Sequence, residues 1–276
     1  MRPVKRTRCL RASKAAFDYN PQLDNGLTTM RILVLSDIHA NLTALDAALQ
    51  RVQGRWDKVV CLGDLVGYGP DPNEVIARLQ ELGAVTIRGN HDKVCCGLEE
   101  PEGFNPVARS AALWTREQLT SQNREYLRDL PPGPLAVDGI SIVHGALQDE
   151  DEYVFTSAQA LEGLLDASTP LTFFGHTHVQ GGFSLRANRV DVLHLSPKPS
   201  QDLESLTVEP ATQYLLNPGS VGQSRDGDAR AGFAIADLPG QRVEFWRISY
   251  DIEAVQRRMA AAELPEPLIQ RLATGR

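Results

Sequence analysis

One feature constrains the fold of this chain more than any other: short, continuous apolar runs that stop on a polar cluster. Arg31–Ser36 (RILVLS) precedes Asp37-Ile38-His39, Lys58–Leu62 (KVVCL) precedes Gly63-Asp64, and Ala84–Ile87 precedes Arg88-Gly89-Asn90-His91-Asp92. A run that is apolar at successive positions suits a strand buried on both faces of a parallel sheet. The stretches between the runs have a helical period. Leu42, Leu45, Leu49 and Val52 form one stripe behind Asn41, a residue fit to cap a helix. Val75, Ile76, Leu79 and Leu82 form another behind Asp71-Pro72-Asn73-Glu74, with Asp at the cap, Pro first and Glu third. Each unit is close to the roughly 30 residues of a strand–helix–strand crossover. Ligands of α/β sheets bind beyond the carboxyl ends of the strands, so the three polar clusters are expected at one edge.

The pattern recurs downstream. Gly139–Val143 reads as a strand ending in His144-Gly145, and Leu171–Phe174 as a strand ending in Gly175-His176-Thr177-His178. Residues 107–129 read as a helical connection and Ser157–Leu165 as a helix. The C-terminal third is strand-rich: Arg189–Leu195, Gln213–Leu216, Ala231–Ala236 and Val243–Tyr250, the last with the imperfect alternation of a half-buried antiparallel strand. The proline-bearing stretch 196–211 reads as a surface loop, and Asp251–Ala262 as a last amphipathic helix.

Five of the six histidines, His39, His91, His144, His176 and His178, follow directly on an expected strand. Asp37, Asp64 and Asn90 share that placement. His194 has no motif around it and reads as structural. Carboxylates, imidazoles and an amide oxygen suit borderline-to-hard divalent ions, and these ligands are too many for one ion. With one carboxylate shared, they supply two sites. Two cations about 3.5–4 Å apart bind phosphate oxygens, neutralise developing charge and acidify a water. The leaving oxygen needs a proton, for which His91 with neighbouring Asp92 is the candidate.

Charge excludes some functions. The formal net charge is −7, yet residues 1–29 hold six basic and two acidic residues, so the body from residue 30 is distinctly acidic. An acidic body argues against gripping nucleic acid by bulk charge, which leaves nucleic acid only as a substrate. Residues 1–29 read as a basic extension that is disordered or not native, since Met30 stands directly before the first strand; residues 30–276 read as one domain. No apolar run approaches the roughly 20 residues that cross a bilayer. Four cysteines (Cys9, Cys61, Cys95, Cys96) form no secreted-type framework, which points to a reducing cytoplasm.

Taken in order, D-x-H (Asp37, His39), G-D (Gly63, Asp64), G-N-H-D (Gly89–Asp92), V-H-G (Val143–Gly145) and G-H-T-H (Gly175–His178) resemble the calcineurin-like metallophosphoesterase superfamily over about residues 30–250. The resemblance implies an α/β fold, a four-layer α-β-β-α sandwich with two mixed β-sheets. It implies Asp37, His39 and His178 at one metal, Asn90, His144 and His176 at the other, Asp64 bridging both, and His91 protonating the leaving group with Asp92 as its partner. Mn2+ is the expected metal, with Fe, Zn or Ni as alternatives. Gly67-Tyr68-Gly69-Pro70 and Asn217–Gly222 look like a bacterial branch of small cytosolic phosphodiesterases and diadenosine-tetraphosphate hydrolases. The serine/threonine phosphatases carry Asp-Arg-Gly where this chain has Gly67-Tyr68-Gly69, which speaks against a protein phosphatase.

The expected substrate is therefore a phosphodiester, nucleotidic ones included. The alternatives are a phosphomonoesterase or protein phosphatase, and a non-catalytic metal-binding scaffold. Arg88 and Arg225 stand as phosphate contacts, Tyr68 as a base-stacking or packing residue, and the acidic run Asp149–Glu152 as a solvated loop. Oligomeric state is not legible in the sequence.

Overall fold

The computed structural model describes residues 30–276, so the expected extension at 1–29 lies outside the described residues. The first half alternates strands and helices: β1 (Arg31–Leu35), α1 (Leu42–Arg51), β2 (Lys58–Cys61), α2 (Pro72–Glu81), β3 (Val85–Thr86) and α3 (Asn90–Cys96). Next come α4 (Pro106–Gln118), α5 (Ser121–Asp129), β4 (Leu135–Val137), β5 (Ile140–Ile142), α6 (Ser157–Asp166) and β6 (Leu171–Phe173). The rest is largely strand: β7 (Gly181–Arg186), β8 (Arg189–Leu193), β9 (Leu203–Thr207), β10 (Gln213–Asn217), β11 (Ala231–Asp237) and β12 (Arg242–Ile248), closed by α7 (Ile252–Ala261) and α8 (Glu266–Arg271).

The strands form two six-stranded mixed sheets, ordered β3-β2-β1-β11-β12-β9 and β4-β5-β6-β10-β7-β8. The two-residue period of a strand decides what each face meets. Leu33 and Leu35 of β1, Val59 and Cys61 of β2 and Phe233 and Ile235 of β11 turn to one core with α1, α2 and α3. Their neighbours Ile32, Val34, Val60, Ala234 and Ala236 turn the other way, against Ile140, Ile142, Phe173, Tyr214 and Leu216 of the second sheet. The outer face of the second sheet packs on α6 through Leu164, Phe183 and Leu215. The result is the expected four-layer α-β-β-α sandwich.

Direction matters most for function. β1, β2 and β3 are parallel, as are β5, β6 and β10. Each sheet thus delivers the residues after its parallel strands to one edge. The two edges meet: the His144 ring bonds the Leu62 carbonyl across the seam, and Gly175 lies against Ser36 and Asp37.

Several expectations are corrected. The 107–129 connection is two helices, because Leu119 and Thr120 adopt extended backbone and Thr120 caps α5. The 196–211 loop contains β9, an edge strand whose polar residues face solvent, paired antiparallel with β12. That pairing makes β12 internal and buried almost throughout, not half-buried. Asn41 caps α1 as expected, accepting from the Ala44 amide at 3.1 Å. Asp71 makes no side-chain cap bond; its carboxylate accepts from the Leu42 amide and pairs with Arg258. Among the described residues no helix is long and apolar enough to cross a membrane.

Candidate metal centre

The polar clusters left by β1, β2, β3, β5 and β6 converge at the shared edge of the two sheets. Ligand atoms of Asp37, His39, Asp64 and His178 lie within 4.8 Å of one another, and so do those of Asp64, His144 and His176. Asp64 belongs to both groups. Its Oδ1 is fixed by the His91 amide at 2.8 Å, while its Oδ2 stands 3.6 Å from Nε2 of His39 and 3.6 Å from Nε2 of His144. Asn90 Oδ1 lies 3.2 Å from His144 Nε2. All seven side chains named from the sequence are thus brought together.

Hydrogen bonding shows what this cluster is built to hold. The Nδ1 atoms of His39, His144 and His178 face the carbonyls of Val66 (3.1 Å), Leu62 (2.8 Å) and Gln223 (2.5 Å). A carbonyl only accepts, so each Nδ1 carries the proton and each Nε2 of the neutral ring carries a lone pair. Nε2 of His39 and Nε2 of His178 nevertheless stand 3.1 Å apart, and His178 Nε2 lies 3.3 Å from Asp37 Oδ1. Lone pairs so placed repel unless a cation lies among them. The residues therefore fit metal ions.

Electrostatics points the same way. Burial pushes the Asp37 and Asp64 carboxyls up, and Asp37 pushes Asp64 further, to well above the usual range. Burial, then the neighbouring imidazole or guanidinium charge, pushes His39, His91 and His178 well below the usual histidine value. Carboxylates that resist ionising and imidazoles that resist protonation lack a positive partner, which divalent cations supply.

The backbone is bent to this purpose. Asp37, His39, Ala40, Asp64, Tyr68, His176 and His178 all have left-handed φ, between 49° and 64°. Each such residue costs about 1–2 kcal/mol, and strain of this kind gathers at functional sites. Two glycines answer a different need. A Cβ on Gly63 would sit 2.5 Å from the Gly89 amide, and one on Gly89 would strike Asp64 Oδ1, so the loops after β2 and β3 touch only as glycines.

The calcineurin-like phosphoesterase superfamily domain matches residues 30–241. The chain belongs to that superfamily. A metallophosphoesterase from Sphaerobacter thermophilus is 40% identical, with 90% of this chain and 100% of that one covered and a TM-score of 0.78. A hypothetical protein from Pyrococcus horikoshii OT3 shares the fold at 23% identity and TM-score 0.72, covering 89% and 98% of the two chains. An uncharacterized protein of Methanocaldococcus jannaschii is 32% identical over 252 residues, 89% of this chain and 98% of its own. The superfamily implies a phosphate-ester substrate, and the buried His/Asp cluster suits a dinuclear metal centre.

Within the phosphoesterase site, one expected partnership is absent. Asp92 makes no hydrogen bond to His91. Its Oδ1 accepts from the Leu65 and Val66 amides at 2.9 and 3.3 Å, and its Oδ2 from the Gly89 amide at 2.9 Å. His91 and Asp92 are consecutive at the start of α3, and consecutive helical side chains diverge. Asp92 ties the loops after β2 and β3 together, and its carboxyl is raised to about 7, by burial first and Asp64 second. His91 Nδ1 is buried without a partner, its ring packed 4.3 Å from Tyr68 and 4.5 Å from Phe104.

Other roles also shift. Tyr68 is 5% exposed and packs between His39 and His91, so no base can stack on it. Arg88 is spent on Glu150, with Nη2 at 2.7 Å. The acidic run is anchored: Glu150 also meets the buried Lys93 at 3.3 Å, as does Asp151 at 2.6 Å. Burial raises Glu150, but hydrogen bonds and charge from Arg88 and Lys93 outweigh it, so its carboxyl titrates below the usual range. That stabilisation is present above the unfolded pKa and lost on acidification through the native one. Glu150→Gln is accordingly expected to lower stability at neutral pH by about 1–2 kcal/mol, read by urea unfolding, with the gap to the parent closing in acid.

Residues outside the motifs matter as much. Ser36 Oγ donates to Asp37 Oδ2 at 2.6 Å and Ser220 Oγ to the Asp37 carbonyl at 2.7 Å. Asn217 Nδ2 donates to the Gly175 carbonyl and to Thr177 Oγ1, both at 2.9 Å. The Asn217–Gly222 turn is thus a brace that joins the motifs after β1 and β6. In the sequence this segment stands out as a family-like stretch and a tight turn, neither of which announces what it bonds.

Proposed function

We propose that the chain hydrolyses phosphodiesters with two divalent cations, Mn2+ foremost, nucleotidic esters being the expected class. Asp37, His39 and His178 would hold one ion, Asn90, His144 and His176 the other, and Asp64 both. The observation that carries this reading is the single carboxylate oxygen, Asp64 Oδ2, equidistant at 3.6 Å from an imidazole of each group. When bound, the ions supply charge neutralisation on the phosphate and a more acidic water.

The chain's own residues supply the rest. Asp64 and Asp92 fix the start of α3, and so aim His91. His91 differs from the three carbonyl-locked histidines because no acceptor fixes its Nδ1 proton. It can therefore carry a proton to the leaving oxygen. Burial and then Arg225 disfavour its positive charge, and an anion entering beside Arg225 offsets the second of these. With Arg88 bound to Glu150, Arg225, whose amide bonds the His178 carbonyl at 3.2 Å, is the candidate contact for the scissile phosphate. The buried free thiols Cys61, Cys95 and Cys96 accord with a reducing, cytoplasmic setting.

The test is turnover of bis-p-nitrophenyl phosphate and of diesters with poor alkoxide leaving groups, with Mn2+, Fe2+, Zn2+ or Ni2+ added. Diester rates above monoester rates are expected. His91→Asn should slow the poor-leaving-group esters about a hundredfold and p-nitrophenyl esters far less. Equal slowing of both would remove His91 from proton transfer, and no turnover with any ion would favour the scaffold.

A further inference from the structure

Beside the centre, four side chains form a contiguous group rich in donors and poor in acceptors. Arg225 Nη2 donates to the Tyr68 hydroxyl at 3.3 Å, with its guanidinium carbon 5.9 Å from the ring centroid. Arg271, the last residue of α8, lies 4.7 Å over the same ring and donates to Gln223 Oε1. Among the described residues neither arginine has a carboxylate within ion-pair distance. Nε of Arg225, Nε of Arg271 and Nε2 of Gln223 are buried N–H groups without an acceptor. Gln223 is 2% exposed, and both arginines are half-buried.

Such an arrangement is unfavourable on its own. Burial disfavours the Arg271 charge, and Arg225 disfavours it again, though the Tyr68 hydroxyl offsets part of this. Unmet buried donors carry a further penalty. Nor is the group loose. Ser224 and Asp226, on either side of Arg225, are both bonded to the fully buried Arg247, and the Gly227 amide bonds the Gly275 carbonyl beyond α8. Two like charges held rigidly together, without a carboxylate, match an anion with several acceptor oxygens.

The two arginines are graded with respect to the centre. The Arg225 amide donates to the His178 carbonyl at 3.2 Å, whereas Arg271 reaches the centre only through Tyr68, whose ring lies 4.5 Å from His39 and 4.3 Å from His91. We infer that Arg271, with Gln223 and the outer side of Arg225, forms a subsite for a second phosphate next to the scissile one, so that the substrate class is esters of a polyphosphate chain. This rests on the hydrolase reading and narrows it. It makes the C-terminal helix a specificity element that none of the five motifs contains.

Calorimetric titration of the Mn2+-loaded full chain with inorganic pyrophosphate and with orthophosphate, at matched free Mn2+, tests the inference without needing turnover. The parent is expected to prefer pyrophosphate. Arg271→Ala should cut that preference about tenfold, and Arg271→Lys, which keeps the charge but not the fork, should restore part of it. Circular dichroism melting checks folding; if the alanine variant does not fold, Arg271→Lys and Arg271→Gln carry the comparison. A parent without preference, or variants that weaken both anions equally or neither, would overturn the subsite. Absence of hydrolysis of any ester would instead count against the hydrolase reading alone.

Discussion

Asp64→Asn is expected to lower diester turnover by on the order of ten-thousandfold, about 5.5 kcal/mol of barrier, while making the metal-free protein more stable. The two effects share one cause. The asparagine keeps an oxygen for the His91 amide, so the loop geometry survives, but it removes the charge that both groups share. Metal content, read by elemental analysis, should fall below two ions per chain. In the metal-free state the same charge is a burden, because burial and Asp37 both oppose it. Removing a buried, uncompensated charge should raise metal-free stability by about 2 kcal/mol, measured by urea unfolding in chelator. Retention of activity within tenfold of the parent would show that Asp64 is not shared.

Removing the metal should lower the melting temperature by roughly 10 °C at neutral pH, and by less in acid. A ligand at about a thousand times its Kd stabilises by about 4.1 kcal/mol, and a domain this size moves by roughly 2–4 °C per kcal/mol. The pH dependence follows from the carboxyls. Asp37, Asp64 and Asp92 have native pKa values above the unfolded one, so in the metal-free protein their contribution is present at low pH and lost as pH rises through the native values, about 7 for Asp92. His39, His91, His176 and His178 are shifted down and stay neutral with or without cations, so they cancel in the comparison. Bound cations displace the carboxyl protons, so the stabilisation should grow from about pH 5 to about pH 8. Scanning calorimetry with Mn2+ and with chelator measures it; a gap that is flat or widens in acid would rule out carboxylate ligation.

How much of this was legible in the chain follows from what kind of signal each part leaves. The strands that carry Asp37, Asp64, His144 and His176 are buried on both faces and so announce themselves as apolar runs. Their parallel pairing explains why reading the residues after each run found the centre. The seven-residue α3 offers too few turns for a periodic stripe, so Asn90, His91 and Asp92 read only as a polar cluster after a strand. That concealed the divergence of His91 from Asp92. β9 is polar because it lies at an edge, and composition alone cannot separate an edge strand from a loop. The left-handed backbone at Asp37, Asp64 and His176 leaves no trace in residue type, since glycine is not used there. Arg271 was hidden for another reason: its importance comes from where α8 docks, a tertiary fact with no local pattern.

The division of donors between the sheets has a mechanical meaning. In one group His178 comes from the second sheet and its three companions from the first; in the other Asp64 comes from the first and both histidines from the second. Each ion would therefore act as a rivet through the joint, with no ion gripped by one layer alone. A chain stripped of its ions keeps the apolar core between its layers and the hydrogen bonds across the seam, so the loss is expected to be felt first at the rim that carries the ligands.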